Sequence, residues 1–193
     1  MKPADPAVFA RGYVEGLVRV LEALPFDAIG RALAALEAAY GAGRTVFLAG
    51  NGGSAATASH MCNDLVWGIA RLGRPGFRAV SLSDNVSLLT AVANDSGYER
   101  VFLPQLEALA SAGDVLVAIS GSGNSPNVVR AVERAREMGL TTVGFLGMAG
   151  GALAGLVDVA VIVPSDDYGP IEDAHMMLDH LAIAYLRQAI GRP

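Results

Sequence analysis

The fold is decided by residues 45–54, TVFLAGNGGS, where a short apolar run passes into a glycine-rich turn. An uninterrupted apolar run, rather than an alternating one, is typical of a strand that is covered on both faces. Four further runs of this kind follow, and helical stretches lie between them. The five predicted strands are residues 45–50, 77–82, 114–120, 141–147 and 159–164. Strands that alternate with helices in this way predict a parallel sheet.

Two helices are predicted ahead of the first strand, over residues 7–24 and 27–41. Asp27 is a candidate cap for the second. The apolar stripe of the first consists of Phe9, Tyr13, Leu17, Val20 and Leu21. Further helices are predicted over residues 54–70, 125–138 and 170–190. We therefore expect one α/β domain over residues 1–193, with leading helices over 1–43 and a core over 44–193. The core is predicted to be a three-layer, doubly wound sheet of about five parallel strands, whose ligands bind beyond the carboxyl ends of the strands.

Composition limits the classes of function. Hydrophobic residues make up 52% of the chain and charged residues 17%, which excludes a disordered chain and indicates large buried areas, with subunit interfaces among them. The net charge is -5 and no basic cluster exists, so we expect no nucleic-acid partner. No apolar run approaches the roughly 18 residues of a membrane span. Cys62 is the only cysteine and the N-terminus lacks the apolar core of a signal peptide, which together favour the cytoplasm.

Two loops follow predicted strands and have features of anion sites. In the first, Gly50 to Ser54, three glycines allow close approach to a ligand at a helix N-terminus. An ordinary tight turn explains this loop equally well. In the second, Ser120 to Pro126, Ser125 suits the N-cap and Pro126 the first helical position. Capping needs one serine, but this loop has three, so its hydroxyls and the helix dipole are candidates for holding a phosphate.

The three histidines lie in two helical segments. His60 and Asp64 are four residues apart and share one helix face, where they suit a metal, a proton relay or a plain surface pair. His180 lies among apolar residues of the last helix, where a core histidine with a satisfied hydrogen bond is the alternative. Glu172 and His180 are eight residues apart, about 12 Å along a helix, too far for one ion in a straight helix. Contribution from two subunits would solve this, so we expect an oligomer with shared sites.

Together the motifs resemble the SIS (sugar isomerase) domain of phosphoheptose isomerases, and the resemblance covers nearly the whole chain. The matching segments are Ala49 to Ser54, Ala93 to Asp95 with Gly97 and Tyr98, Gly113 to Leu116, and Ser120 to Ser125. The resemblance implies a flavodoxin-like SIS fold and the conversion of sedoheptulose 7-phosphate to a mannoheptose 7-phosphate.

The resemblance also implies roles for individual residues. Asp64 and His180 would be the catalytic acid–base residues. The metal set would be His60, Asp64, Glu172 and His180, with Zn²⁺ as the expected ion, one per subunit. The sugar phosphate would contact Asn51, Gly52, Gly53, Ser54, Asp64, Asn94, Asp95, Ser120, Gly121, Ser122, Ser125 and Glu172. A homotetramer with active sites at subunit interfaces is expected.

Three of these positions depart from the family. Asp64 stands where the family has Glu, Glu172 where it has Gln, and Gly121 where it usually has Thr. The first matters most, because a carboxylate one methylene shorter is displaced by about 1 Å, which costs on the order of 100-fold in rate. Two alternatives therefore stay open. One is an isomerase of another sugar phosphate, and the other is a non-catalytic relative that binds a replication-initiator protein.

Overall fold

The computed structural model describes residues 5–191, so the ends of the predicted 1–193 domain, residues 1–4 and 192–193, lie outside it. Five parallel strands form one sheet in the order β2-β1-β3-β4-β5. They are β1 (Thr45–Ala49), β2 (Arg78–Ser81), β3 (Val115–Ser120), β4 (Thr141–Leu146) and β5 (Val159–Ile162). This order confirms the doubly wound α/β prediction. Its topological switch point lies between β1 and β3, and both loops singled out above begin at the ends of these two strands.

Residues 5–191 contain seven α-helices. They are α1 (Pro6–Glu22), α2 (Phe26–Gly41), α3 (Gly53–Asn63), α4 (Val86–Ser96), α5 (Leu103–Leu109), α6 (Pro126–Glu137) and α7 (Tyr168–Gly191). The sequence analysis did not delimit α4 and α5. Short 3₁₀ turns cover Tyr98–Arg100 and Ala152–Gly155. Asp27 does not cap α2, because the N-cap position is occupied by Pro25 and Asp27 lies inside the first turn.

Alternate residues of each strand feed two separate cores. Val46 and Leu48 of β1 pack with α2, α3 and α7 on one face, whereas Phe47 packs with residues of α5 and α6 on the other. The sheet is thus the middle of three layers, as continuous apolar strands require. Helix α1 is peripheral, because none of its residues is fully buried and Val20 and Leu21 near its end pack only partly buried against the core that contains α2, α3 and α7. Within residues 5–191, no helix combines the length and the apolarity that crossing a bilayer demands.

The helix predicted over residues 54–70 is not uniform. Regular α3 ends at Asn63, and a π-helical turn covers Asp64–Gly68. A π turn inserts one extra residue into the helical register and occurs frequently at functional sites. The irregularity therefore begins at the predicted catalytic carboxylate.

Candidate active site

The glycine-rich loop after β1 leads directly into α3. Gly52 is the N-cap of α3 and has φ +55°, a left-handed conformation that suits glycine. A side chain at the next residue, Gly53, would overlap the carboxylate of Glu172 from α7. The missing side chain therefore allows a carboxylate to lie against the start of α3.

Asn51 joins this loop to the serine loop. Its amide nitrogen donates to Asn127 Oδ1 at 2.9 Å, and Asn127 Nδ2 donates back to Asn51 Oδ1 at 2.8 Å. The hydroxyl of Tyr98 donates to the same Asn51 oxygen at 2.9 Å. Asn127 is buried in the first turn of α6, so the reciprocal amide pair fixes the two loops relative to each other. Asn127 was not among the predicted site residues, and its only signal in the sequence is its position shortly after the capping serine.

Hydroxyl groups line the serine loop after β3. Ser120 Oγ accepts from the amide of Gly123 at 3.2 Å, and Ser122 Oγ accepts from that of Asn124 at 3.2 Å. Ser125 occupies the predicted N-cap of α6, yet within residues 5–191 its side chain makes no capping hydrogen bond. Its hydroxyl lies 3.4 Å from Ser120 Oγ. The side-chain capping prediction is therefore wrong, and this hydroxyl is left at the helix N-terminus, where an anion is favoured.

The two loops enclose a cavity of about 180 Å³. Seven of its nine lining residues are predicted substrate contacts, and the other two are Ile119 and Tyr168. The lining residues are Asn51, Ser54, Ile119, Ser120, Gly121, Ser122, Ser125, Tyr168 and Glu172. Gly52 and Gly53 lie in the adjoining turn, whereas Asn94 and Asp95 are exposed at the end of α4, hydrogen-bonded to each other at 2.8 Å. The sequence therefore anticipated most of this cavity, which has hydroxyls but no cationic side chain among its lining residues.

Tyr168 explains the glycine at position 121. A Cβ at Gly121 would lie 2.9 Å from the Tyr168 ring, too close for a side chain unless the ring moved. The tyrosine opens α7 and is half exposed at the mouth of the cavity. Gly121 and Tyr168 thus share the space that a threonine at 121 would occupy.

A second group of side chains joins α3, its π turn and α7. Ligand atoms of His60, Asp64, Asp179 and His180 all lie within 4.8 Å of one another. His60 Nε2 lies 3.2 Å from His180 Nε2 and 3.7 Å from Asp64 Oδ2. The same nitrogen lies 3.8 Å from Asp179 Oδ2. Three predicted metal ligands therefore come together within one chain, while the fourth, Glu172, lines the serine cavity instead.

Asp179 was missed by the sequence analysis. Its side chain is fully buried, and within residues 5–191 neither carboxylate oxygen has a hydrogen-bond partner. Burial raises the pKa of Asp179 to about 7, and the nearby charge of Asp64 adds to the increase. Helical periodicity would have revealed it, because residue 179 falls on the buried stripe formed by Ile171, His175, Leu178, Ala182 and Leu186.

The four side chains form a donor set that can hold a divalent cation. Two imidazoles and two carboxylates suit Zn²⁺, and the buried Asp179 oxygens, which have no hydrogen-bond partner within residues 5–191, are the strongest indication that the group suits a cation. The group is open on one side, where His60 and His180 are exposed. There a cavity of about 410 Å³ is lined by Asn63, Asp64, Trp67, Gly68, Arg71, His180, Ile183, Ala184 and Arg187.

The buried core histidine is His175 rather than His180. His180 is exposed and faces His60, and the buried histidine is His175, whose Nε2 lies 3.1 Å from the carbonyl oxygen of Leu146. Burial lowers the pKa of His175 to about 4, against the smaller opposite effect of that carbonyl. His175 is therefore neutral near pH 7, donates to Leu146, and is not part of the donor group.

Comparison with known proteins identifies the family of this chain. Residues 12–147 match the SIS domain family. A phosphoheptose isomerase of Trichlorobacter lovleyi is 43% identical over 148 residues, which cover 77% of this chain and 75% of the relative. This chain belongs to the phosphoheptose isomerase family of SIS-domain proteins.

Solved structures of this family have the same fold. A phosphoheptose isomerase from Francisella tularensis is similar with a TM-score of 0.88 at 30% identity, over 96% of this chain and 100% of that one. A phosphoheptose isomerase from Neisseria gonorrhoeae is similar with a TM-score of 0.86 at 30% identity, over 95% of this chain and 100% of that one. The SIS-type fold inferred from the two loops is thereby confirmed, leading helices included.

The three positions at which the resemblance implies a different residue fall at different parts of the site. Asp64 begins the π turn and belongs to the donor group. Glu172 lies against Gly53 at the serine cavity, and Gly121 lies beneath Tyr168. Two of the three positions therefore lie at the cavity predicted to hold the sugar phosphate, and one lies in the histidine–carboxylate group.

Proposed function

We propose that this protein interconverts sedoheptulose 7-phosphate and D-glycero-D-manno-heptose 7-phosphate. The observation that carries the proposal is the pairing of a hydroxyl-lined cavity at the switch point of the sheet with a histidine–carboxylate group on neighbouring helices. The relatives at 43% identity and above are named phosphoheptose isomerases, which supports this substrate over other sugar phosphates.

The reaction moves a proton between two adjacent carbons through an enediol. Asp64 is the proposed base that takes the proton from the carbon beside the carbonyl group. His180 is the proposed acid–base group that moves a proton between the two oxygens. Ser120, Ser122 and Ser125 would hold the phosphate and thereby fix the reacting carbons within reach of these groups.

A divalent cation, with Zn²⁺ the expected ion and one per subunit, belongs to the proposed enzyme. His60, Asp64 and His180 would hold it, and the ion supplies polarisation of the substrate's carbonyl and hydroxyl oxygens when bound. Each carboxylate has two oxygens, so Asp64 can offer one to the ion and the other to the substrate proton.

A homotetramer with active sites at subunit interfaces is proposed for the assembly. Helix α1 supports this, because it buries no residue in its own chain and exposes Val8, Phe9, Tyr13, Val14 and Val18. Contiguous exposed apolar surface of this kind marks protein–protein contacts. We also propose a cytoplasmic location, which the single free thiol of Cys62 supports.

The deciding experiment is an isomerase assay with sedoheptulose 7-phosphate, run with added Zn²⁺ and after treatment with a chelator. Turnover that falls on chelation and returns with Zn²⁺ is the expected result. Pentose and hexose phosphates are the matched controls. If the protein turns over a pentose or hexose phosphate but not the heptose phosphate, that sugar phosphate is its substrate. If it turns over none of them, it is a non-catalytic relative.

A further inference from the structure

Asp179 is a buried carboxylate to which the proposed reaction gives no role. We propose that Asp179 is the fourth ligand of a divalent cation held by His60, Asp64 and His180. The metal centre is then supplied by α3, its π turn and α7 of a single chain, and Glu172 belongs to the sugar cavity. This inference rests on the metal site of the proposed function but identifies a ligand that the family resemblance does not imply.

Burial is the first argument. A fully buried carboxylate normally accepts several hydrogen bonds, because removing its charge from water without partners is costly. Both Asp179 oxygens lack such a partner within residues 5–191, and Oδ2 is directed at the histidine–aspartate group. A cation bound there would give these oxygens the partner that the protein does not provide.

Ligand spacing is the second argument. Zn²⁺ bonds to nitrogen and oxygen at about 2.0–2.2 Å, so the ligand atoms of a tetrahedral site lie about 3.3–3.6 Å apart. The separations from His60 Nε2 are 3.2 Å to His180 Nε2, 3.7 Å to Asp64 Oδ2 and 3.8 Å to Asp179 Oδ2. All three are near the edge length of such a tetrahedron.

Orientation distinguishes a ligand from a supporting residue. A carboxylate that only orients a metal-binding histidine accepts from the ring nitrogen that does not bind the metal. Asp179 instead approaches Nε2 of His60, the nitrogen that also faces Asp64 and His180. Asp179 therefore belongs with the atoms that surround the ion.

Charge balance is the fourth argument. Two neutral imidazoles and two carboxylates neutralise a divalent cation, whereas Asp64 and Asp179 repel each other without one. Glu172 is not in this group, since its carboxylate lies against Gly53 and lines the serine cavity. It precedes His180 by eight residues, about 12 Å along α7.

The test is a metal titration of the full-length protein after chelation, using Zn²⁺ in calorimetry and Co²⁺ in visible absorption. The variants are Asp179→Asn, Asp179→Leu and, as the crossed control, Glu172→Gln. We expect one ion per subunit in the wild type and in Glu172→Gln. Both Asp179 variants should bind at least about 100-fold more weakly, since even supporting residues cost 10- to 100-fold. Equal affinity in the Asp179 variants, or loss of the ion in Glu172→Gln alone, overturns the proposal.

Thermal unfolding without metal separates lost binding from lost structure. Both Asp179 variants remove a buried charge, and Asp179→Leu also extends the apolar stripe of α7, so without metal both should melt at or above the wild-type temperature. Both should lose the rise in melting temperature that Zn²⁺ gives the wild type. A rise equal to the wild type's counts against the proposal.

Activity then distinguishes the two hypotheses. Asp179-dependent Co²⁺ binding in a protein that isomerises no heptose phosphate refutes the proposed function and leaves this metal centre standing. If the enzyme is active and the Asp179 variants bind metal as tightly as the wild type, only this inference is refuted.

Discussion

At the scale of single residues, the short carboxylate at position 64 has the largest chemical consequence. Asp64 lies in contact distance of His60 and begins a π turn, so the helix that carries it changes register at that residue. The base that we propose, one methylene shorter than the Glu that the family resemblance implies, would therefore act from the first residue of the π turn.

Replacement of the acid–base pair should abolish most turnover. Asp64→Asn and His180→Gln should each lower kcat by at least about 100-fold, because each removes a proton-transfer group. Affinity for the sugar phosphate in calorimetry should change little, since the serine cavity is intact. Glu133→Gln, on the exposed face of α6, is the control. Full turnover by Asp64→Asn would show that the base lies elsewhere. Asp64→Glu separates two further cases: the variant should be more active if Asp64 is a compromised base, and less active if the site is tuned to the shorter side chain.

His175 should make the protein less stable in acid. The folded protein keeps His175 neutral down to about pH 4, whereas the unfolded chain takes up the proton near pH 6.5. The unfolded state therefore binds more protons in this window, and the free energy of unfolding falls as the pH drops from 6.5 to about 4. The loss approaches about 3 kcal/mol.

Urea unfolding of the wild type and His175→Gln across this window measures the effect. Glutamine keeps a donor for Leu146 but does not titrate, so the stability difference between the two proteins should change steadily in the variant's favour as the pH falls. Asp179 is present in both proteins, so its contribution to the pH dependence cancels in the stability difference. Parallel stability curves would mean that His175 is protonated in the folded state.

At the scale of elements, the serine loop and the first turn of α6 form one structural unit, which we propose binds the phosphate. Ser125 leaves its hydroxyl uncommitted, Ser122 lines the cavity beside it, and Asn127 ties the unit to Asn51. A phosphate here would receive hydroxyl bonds and the positive end of the helix dipole.

Loss of these hydroxyls should weaken substrate binding. Ser122→Ala and Ser125→Ala should each reduce affinity for a sugar phosphate by about 10- to 100-fold, the worth of a hydrogen bond to a charged group. Calorimetry measures the affinity, and circular dichroism should be unchanged. Ser87→Ala, an exposed serine of α4, is the matched control. Wild-type affinity in both loop variants would place the phosphate elsewhere.

The strands and loops were largely predictable from the sequence, whereas long-range contacts were not. Val46, Leu48 and their counterparts predicted the buried strands, and the glycine and serine loops predicted the cavity, because these patterns depend on local chemistry. The π turn at Asp64 leaves no trace in apolar periodicity over five residues. The contact between Gly121 and Tyr168 joins positions far apart in the chain, so no local pattern reports it. Asp179 was readable as a carboxylate on an apolar helix stripe, but its proximity to His60, which is distant in the chain, was not.

At the scale of the whole molecule, α1 is a helix without a core of its own. Its apolar side chains Phe9 and Val14 are 65% and 58% exposed, while the hydroxyl of Tyr13 donates to Asp173 of α7. An isolated helix with so little packing is unstable in water. A second copy of the chain is the partner we expect to cover it.

Light scattering at micromolar concentration should find a tetramer. Phe9→Ser with Val14→Ser should shift the protein to smaller species, because the pair removes the apolar side chains that make the contact. Leu109→Ser is the control, since this residue is also exposed but lies at the end of α5. A wild-type monomer, or a double variant that stays tetrameric, would exclude α1 as the interface.

The cavity without a cationic lining residue has a consequence for ionic strength. Hydroxyl and amide dipoles hold an anion at close range, whereas an exposed arginine also attracts it from afar and loses that attraction as salt accumulates. Affinity for the sugar phosphate should therefore change by less than about two-fold between about 50 mM and about 500 mM sodium chloride. Calorimetry at the two concentrations measures this, and a steep loss would reveal that cations, from this chain or a neighbouring subunit, share the phosphate. With the small change that we expect, the enzyme would bind its substrate equally well in dilute and concentrated cell interiors.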